Sequence, residues 1–175
     1  MAITQQNFFK NFILGVTNEC IKIDSRQLND DAILKLTSSA HEHVLILSRN
    51  LDPSIFNQQA FMDVASEMAR RKRSSYIHIL VNNPASMIKQ GSRIVELCQR
   101  ISSKVEIRTI CDEHSQFNRS FLIADSIGYL HNAKSDLYDA EVNFNDKEMS
   151  NELTEIFNKI WEQSIQDTAI RRLCI

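Results

Sequence analysis

Val44-Leu45-Ile46-Leu47-Ser48, Tyr76-Ile77-His78-Ile79-Leu80-Val81 and Val105-Glu106-Ile107-Arg108-Thr109-Ile110-Cys111 are the stretches that decide the architecture of this 175-residue chain. The first two are short, almost uninterrupted apolar runs, the form of a strand covered on both faces. In the third, Val105, Ile107 and Thr109 alternate with Glu106 and Arg108, so one face is expected to be more exposed. The segments between them have a helical period. After the turn signal Asn50-Leu51-Asp52-Pro53, the residues Ile55, Phe56, Ala60, Val64 and Met68 form one stripe on a helix running towards Arg73. Asn82-Asn83-Pro84 stops the second strand, and Ile88, Gly91, Val95, Cys98 and Ile101 follow at helical spacing. Strand, helix, strand, helix, strand with crossovers of this length implies right-handed βαβ units. The predicted fold is therefore α/β: a layered sandwich with a mixed, largely parallel sheet flanked by helices.

Upstream, Phe8, Phe9, Phe12, Ile13 and Leu14 make an apolar run, and Ile21 and Ile23 alternate with Lys22 and Asp24 like a half-buried strand. Asn29 and Asp30 suit the N-cap of a short amphipathic helix carrying Ile33, Leu34 and Leu36 and ending near His41. Downstream, Phe121 to Ala124 and Ile127 to Leu130 are parted by Asp125-Ser126, the pattern of an antiparallel hairpin. Glu141 to Phe144 suggests a further strand. Leu153, Phe157 and Trp161 stack on one face of a closing helix, widened by Met149, Ile156 and Ile160, with Asp146, Asn145 or Ser150 able to cap it. No Gly/Ser linker, low-complexity tract or repeat interrupts the chain, so residues 1–175 read as one domain.

Composition narrows the function classes. With 20 Lys plus Arg against 22 Asp plus Glu, the formal net charge of −2 removes the long-range pull of a strongly basic protein and leaves room only for a local patch. Arg70-Arg71-Lys72-Arg73 is the densest charge: it can grip phosphate or an acidic partner, or serve as a basic helix end that complements the macrodipole. With no aromatic residues beside it to stack bases, sequence-specific nucleic-acid recognition is not expected. The apolar runs fall far short of the roughly 18 residues of a membrane span, and the N-terminus lacks signal-peptide features, so no membrane span and a cytoplasmic location are expected. Cys20, Cys98, Cys111 and Cys174 show no paired spacing and are expected to be reduced thiols, mostly in the core. His41 and His43 flank Glu42 with no third ligand identified and read as edge residues; no metal is expected. His78, inside an apolar strand, reads as a hydrogen-bonded core residue. Three glycines, Gly15, Gly91 and Gly128, build no pyrophosphate loop, and no cofactor is expected.

Asn118-Arg119-Ser120-Phe121-Leu122-Ile123-Ala124-Asp125 has the position and flanking hydrophobicity of the H-x-K-x4-D motif, and with the strand–helix–strand order before it and Leu153, Phe157 and Trp161 after it the chain resembles one half of a phospholipase D-like protein over about residues 40–164. Within that superfamily it resembles an uncharacterised group of small bacterial domains through Ser48-x-x-Leu51-x-Pro53, Ile79-Leu80-Val81-x-x-Pro84, the run from Gly91 to Leu97, Glu106-Ile107-Arg108 and Phe157-x-x-x-Trp161. In the active family the His is the nucleophile and the Lys neutralises the phosphoryl oxygens. Here Asn118 and Ser120 stand in those places: an amide is a poor nucleophile and a hydroxyl carries no fixed charge. Asp125 survives, and also reads as a turn residue whose carboxylate accepts backbone N–H bonds. Asn132-Ala133-Lys134-Ser135 replaces the family's G-S-x-N segment.

The resemblance thus implies the fold, while the residues argue against the chemistry. The expectation is a catalytically inactive binding or scaffolding module, with no catalytic residues, acting on a protein partner or a phosphate-bearing ligand. Asn118, Ser120, Asp125, Asn132, His114 and His131 are the candidates for the altered site, and Arg70, Arg71, Lys72, Arg73 and Arg119 the anion-binding candidates. Pairing of halves in that superfamily implies a homodimer. The alternative is a phosphodiesterase or nuclease with altered site residues, for which His114 and His131 are the natural general acid–base groups.

Overall fold

The computed structural model describes residues 8–84, 92–133 and 139–166. In chain order the elements are β1 (Ile21–Ile23), α1 (Arg26–Ser39), β2 (His43–Ser48), α2 (Pro53–Phe56), α3 (Gln59–Arg70), β3 (Tyr76–Val81), α4 (Arg93–Arg100), β4 (Val105–Thr109), a 3-10 turn (Asp112–His114), β5 (Ser120–Ala124), β6 (Gly128–Asn132), β7 (Ala140–Asn143) and α5 (Lys147–Gln163). The strands form one mixed seven-stranded sheet in the order β1-β7-β6-β5-β2-β3-β4. β2, β3 and β4 run parallel, as their crossovers require. The expectation of a largely parallel sheet holds for that half alone: the ladders β2–β5, β5–β6, β6–β7 and β1–β7 are antiparallel, because hairpin geometry takes over after β4.

Period-two alternation sends each central strand to two cores. Val44 and Ile46 of β2, Ile77, Ile79 and Val81 of β3, and Leu122 of β5 join the cluster under α1, α3 and α4. Leu45, Leu47, Leu80, Phe121 and Ile123 join the cluster under α5 with Leu153, Phe157 and Ile160. Burying a side chain of this size contributes about 1.5–3 kcal/mol, so both faces hold the sheet together. Asp146 caps α5, its carboxylate accepting the Met149 N–H at 3.0 Å. At the β5–β6 turn, Asp125 and Ser126 have φ of 55° and 53°, the paired left-handed geometry that matches strand twist. Gly128 follows because a Cβ there would lie 2.6 Å from Leu14 Cδ1 and 3.0 Å from the Asn143 carbonyl oxygen.

Several expectations are corrected. α1 begins at Arg26, with the Ser25 hydroxyl accepting the Leu28 N–H at 3.4 Å; Asn29 and Asp30 lie inside the helix rather than at its cap. The helix read from Ile55 to Met68 is two, broken at Asn57–Gln58 where the Asn57 amide bonds back to the Pro53 carbonyl. Of the cysteines only Cys98 is buried among the described residues; Cys20 is exposed and Cys111 half-buried. Ile88, Gly91, Lys134, Ser135 and Cys174 lie outside the described residues.

Candidate functional site

A cavity of about 100 Å³ opens where β2 ends and β5 begins, between those strands, β6, α1 and α2. Its apolar wall is Ile33, Ile46, Leu47, Ile55, Phe56, Phe121, Leu122 and Leu130, and its polar groups are Asn29, Ser48, Asp52, Ser120 and Asn132. Local sequence explains each polar position. Ser48 is the last residue of β2, and its hydroxyl accepts the Leu51 N–H at 3.1 Å. Leu51 itself is buried with φ of 46°, a strained left-handed conformation that swings the chain across the sheet end. Asp52 then caps α2, accepting the Ser54 N–H at 2.9 Å and its hydroxyl at 2.6 Å. Ser120 opens β5 directly opposite Asn132, which closes β6. Asn29 reaches the cavity from α1, is only 7% exposed, and has an Oδ1 without a hydrogen-bond partner among the described residues.

Among the described residues, the chemistry of this lining is hydrogen bonding without a cation, an imidazole or a thiol. An unpaired buried amide oxygen costs about 1–3 kcal/mol, a penalty that a donor placed in the cavity would remove. Next to Asn29, Asp30 also buries an unpartnered Oδ1, and its carboxyl is pushed up to about 6, chiefly by burial, with Arg26 opposing and Asp52 reinforcing the rise. Asp30 is not part of the lining, whose one carboxylate among the described residues is Asp52.

Of the residues singled out from sequence, the structure brings Ser120 and Asn132 together and disperses the rest. Asn118 and Arg119 are exposed just ahead of β5. Asp125 sits at the far end of β5, where its carboxylate accepts the backbone N–H groups of His41 at 2.8 Å, Glu42 at 2.8 Å and His43 at 2.9 Å. It ties the hairpin to the start of β2. His114 is hydrogen-bonded to Gln163 at the end of α5. His131 points to the sheet face opposite Ser120 and Asn132, with Nδ1 3.6 Å from Glu141 and burial holding its pKa below the usual imidazole range. Neither imidazole lines the cavity. His78 differs from its reading as a hydrogen-bonded core residue: it is held by stacking, its ring 4.2 Å from that of Trp161 at 10°, and burial pushes its pKa down to about 4. Arg108 covers the same indole at 4.2 Å. Arg71 is spent inside the fold, donating to the Ser38 and Ala40 carbonyls at 3.0 and 2.7 Å and to Glu67 at 3.0 Å.

Asn29, Ser48, Asp52 and Asp30 were not singled out as site residues, because they come from segments whose sequence signals are those of a helix and a turn. Among the described residues no group of three or more His, Cys, Asp or Glu is placed to hold a metal ion, and no helix is long and apolar enough to cross a membrane.

Residues 25–173 match a family model described as "Domain of unknown function (DUF7931)". No curated protein matches the chain. Among solved structures, the chain is similar to TrmBL2, an archaeal chromatin protein whose structure "shows a novel mode of DNA binding", at 17% identity and a TM-score of 0.60, covering 86% of this chain and 54% of that one. It is similar to Nuc from Salmonella typhimurium, a phospholipase D family member, at 13% identity and a TM-score of 0.58, covering 85% of this chain and 99% of that one. It is also similar to the phosphatidylserine synthase of Haemophilus influenzae, at 10% identity and a TM-score of 0.56, covering 88% of this chain and 40% of that one. The chain thus spans about half of TrmBL2 and less than half of the synthase, and at these identities the likeness is one of fold.

Proposed function

The chain belongs to the DUF7931 family, and on that premise we propose that it is a phospholipase D-like domain that binds a ligand in the cleft at the β5–β6 strand ends without turning it over. The observation that carries this reading is the lining itself: Ser120, Asn132, Asn29, Ser48 and Asp52 supply hydroxyls, amides and one carboxylate, with no nucleophile beside a base and no cation for a phosphoryl oxygen among the described residues. A cavity of this size, with an unpaired acceptor and a carboxylate, selects a hydrogen-bond donor: an amide, hydroxyl or ammonium group presented by a partner protein or a small molecule. It does not select phosphate, so a phosphate-bearing ligand is not the occupant of this cleft in our reading.

The test is a thermal-shift series on the full chain with small amides, amines and guanidines, and with inorganic phosphate for comparison. A ligand at 100 times its Kd adds about 2.7 kcal/mol, which is readily seen. A shift with donor-bearing compounds that disappears in Asn132→Leu, together with no hydrolysis of an aryl phosphodiester from pH 5 to 9, is the expected result. Hydrolysis that is lost on replacing His114 or His131 would overturn it and favour an altered phosphodiesterase. Pairing of two copies belongs to the same proposal, with a solution mass of twice the 20.2 kDa chain as its expected outcome.

A further inference from the structure

On the α3–α4 side of the sheet, away from the cleft, the two helices end side by side. Arg70 closes α3 and Arg100 closes α4, and both line one open groove between them. The turn that leaves α3 carries Lys72 and Arg73, both exposed. Lys104, in the approach to β4, donates its ammonium to the Lys72 carbonyl at 3.1 Å and to the Arg73 carbonyl. That contact fastens the two basic segments to each other, so sequence-distant cations share one corner. Among the described residues these five cations have a single carboxylate partner, Glu42, 3.6 Å from Lys72. The groove also carries three exposed acids: Glu67 is bonded to Arg71, Asp63 accepts from Gln59, and Glu96 lies one turn before Arg100 on α4.

We infer that this corner is a binding surface for a nucleic-acid phosphate backbone, read without sequence preference. Three features select that ligand. Arg70, Lys72, Arg73 and Arg100 are exposed and spread over two helix ends and a turn instead of converging on a pocket, while half-buried Lys104 holds the segments together, so each exposed cation gains little from a lone ion in water but all four add along a chain of phosphates through counterion release. Three of the five are arginines, whose planar forks match phosphodiester oxygens. Among the described residues the exposed large hydrophobic ones, Phe8, Ile13, Val16 and Ile165, lie in other parts of the chain, and none gives the corner an apolar anchor for a lipid surface. Backbone contacts of this kind position a protein on a duplex and carry no sequence information, consistent with the lack of stacking aromatics. The inference rests on residues separate from the cleft, and either can fail alone.

The experiment is fluorescence anisotropy of a labelled 20-base-pair duplex titrated with the full chain at 25 to 200 mM KCl, with phosphatidylcholine vesicles containing 30% phosphatidylserine as the second arm. Binding of two unrelated duplex sequences within about twofold is expected, with log–log salt slopes of about −3 to −4 and thus a loss of roughly 100-fold between 50 and 200 mM. The triple variant Arg70→Glu/Arg73→Glu/Arg100→Glu is expected to weaken duplex binding by at least about 30-fold at 50 mM, whereas Lys159→Glu on α5 leaves it unchanged. Should the triple variant not fold, Arg73→Gln alone is expected to reduce the salt slope by about one. Absence of duplex binding at 25 mM KCl, binding that survives the charge reversals in a folded protein, or binding to the vesicles in place of the duplex would each overturn the inference.

Discussion

The cleft at the β5–β6 strand ends and the corner where α3 and α4 end differ in the property that decides ligand class. The cleft buries hydrogen-bonding groups beside the Asp52 carboxylate and is lined by no cation among the described residues. The corner exposes four cations, Arg70, Lys72, Arg73 and Arg100, with one carboxylate partner among the described residues. In our proposals, hydrogen-bond recognition and anion recognition occupy different places on one scaffold. The burial of β5 depends on Phe121, Leu122 and Ile123 rather than on Asn118 and Ser120 at the strand mouth.

The comparison can be broken or sharpened by substitution. The largest effect is expected at Asp125, which belongs to neither region. Asp125→Ala removes the acceptor for three backbone N–H groups and should cost about 2–3 kcal/mol in chemical denaturation while leaving both the cleft's thermal shifts and duplex binding in place. Loss of ligand binding in a folded Asp125→Ala protein would return that carboxylate to the site. Next comes Asn29→Leu, which replaces an unpaired buried amide by an apolar group of similar volume and should stabilise the chain by about 1 kcal/mol while abolishing the cleft's response to donor ligands.

Smaller effects concern pH. The Asp30 carboxyl, raised to about 6, stays protonated in the folded chain where the unfolded chain has already ionised. Its contribution is therefore greatest below pH 3.8 and is lost as pH rises towards 6. Asp30→Asn should flatten this dependence and stabilise the protein at pH 7 by up to about 1 kcal/mol after solvent screening. His78 acts with the opposite sign. With its pKa pushed down to about 4, the folded chain refuses a proton that the unfolded chain accepts near 6.5, so stability is full above pH 6.5 and falls as pH drops towards 4. Replacing His78 by Phe keeps the stack on Trp161 and should remove that fall. Denaturation midpoints of the two variants between pH 4 and 7 separate the terms; a shared pH profile would show that neither group carries it.

The periodicity of the sequence was sufficient for β2, β3, β4, the hairpin and α5, since each is an apolar pattern buried against a partner of the same length scale. It failed at the start of α1, where Asn29 and Asp30 are good capping residues yet Ser25 takes the cap. Leu28 and Ala32 extend the apolar face one turn earlier and draw the helix with them. That error conceals half of the site. Read as caps, Asn29 and Asp30 belong to a solvated helix end; one turn inside, Asn29 becomes a buried polar group lining the cleft and Asp30 a half-buried carboxyl beside it in sequence. Ser120 and Asn132 were singled out from motif positions just outside the apolar segments Phe121 to Ala124 and Ile127 to Leu130; the strands extend to include both and pair them. The basic corner was legible only in part, for the four-residue run stands in the sequence while Arg100 and Lys104 join it only through the packing of α4 on α3.

The most direct test of the separation is a backbone amide NMR titration of the full chain with a short phosphodiester duplex. Shifts are expected at residues 70–74 and 99–104, with Asn29, Ser48, Ser120 and Asn132 unmoved. Shifts concentrated at Ser120 and Asn132, with the corner silent, would contradict the account and return phosphate recognition to the cleft.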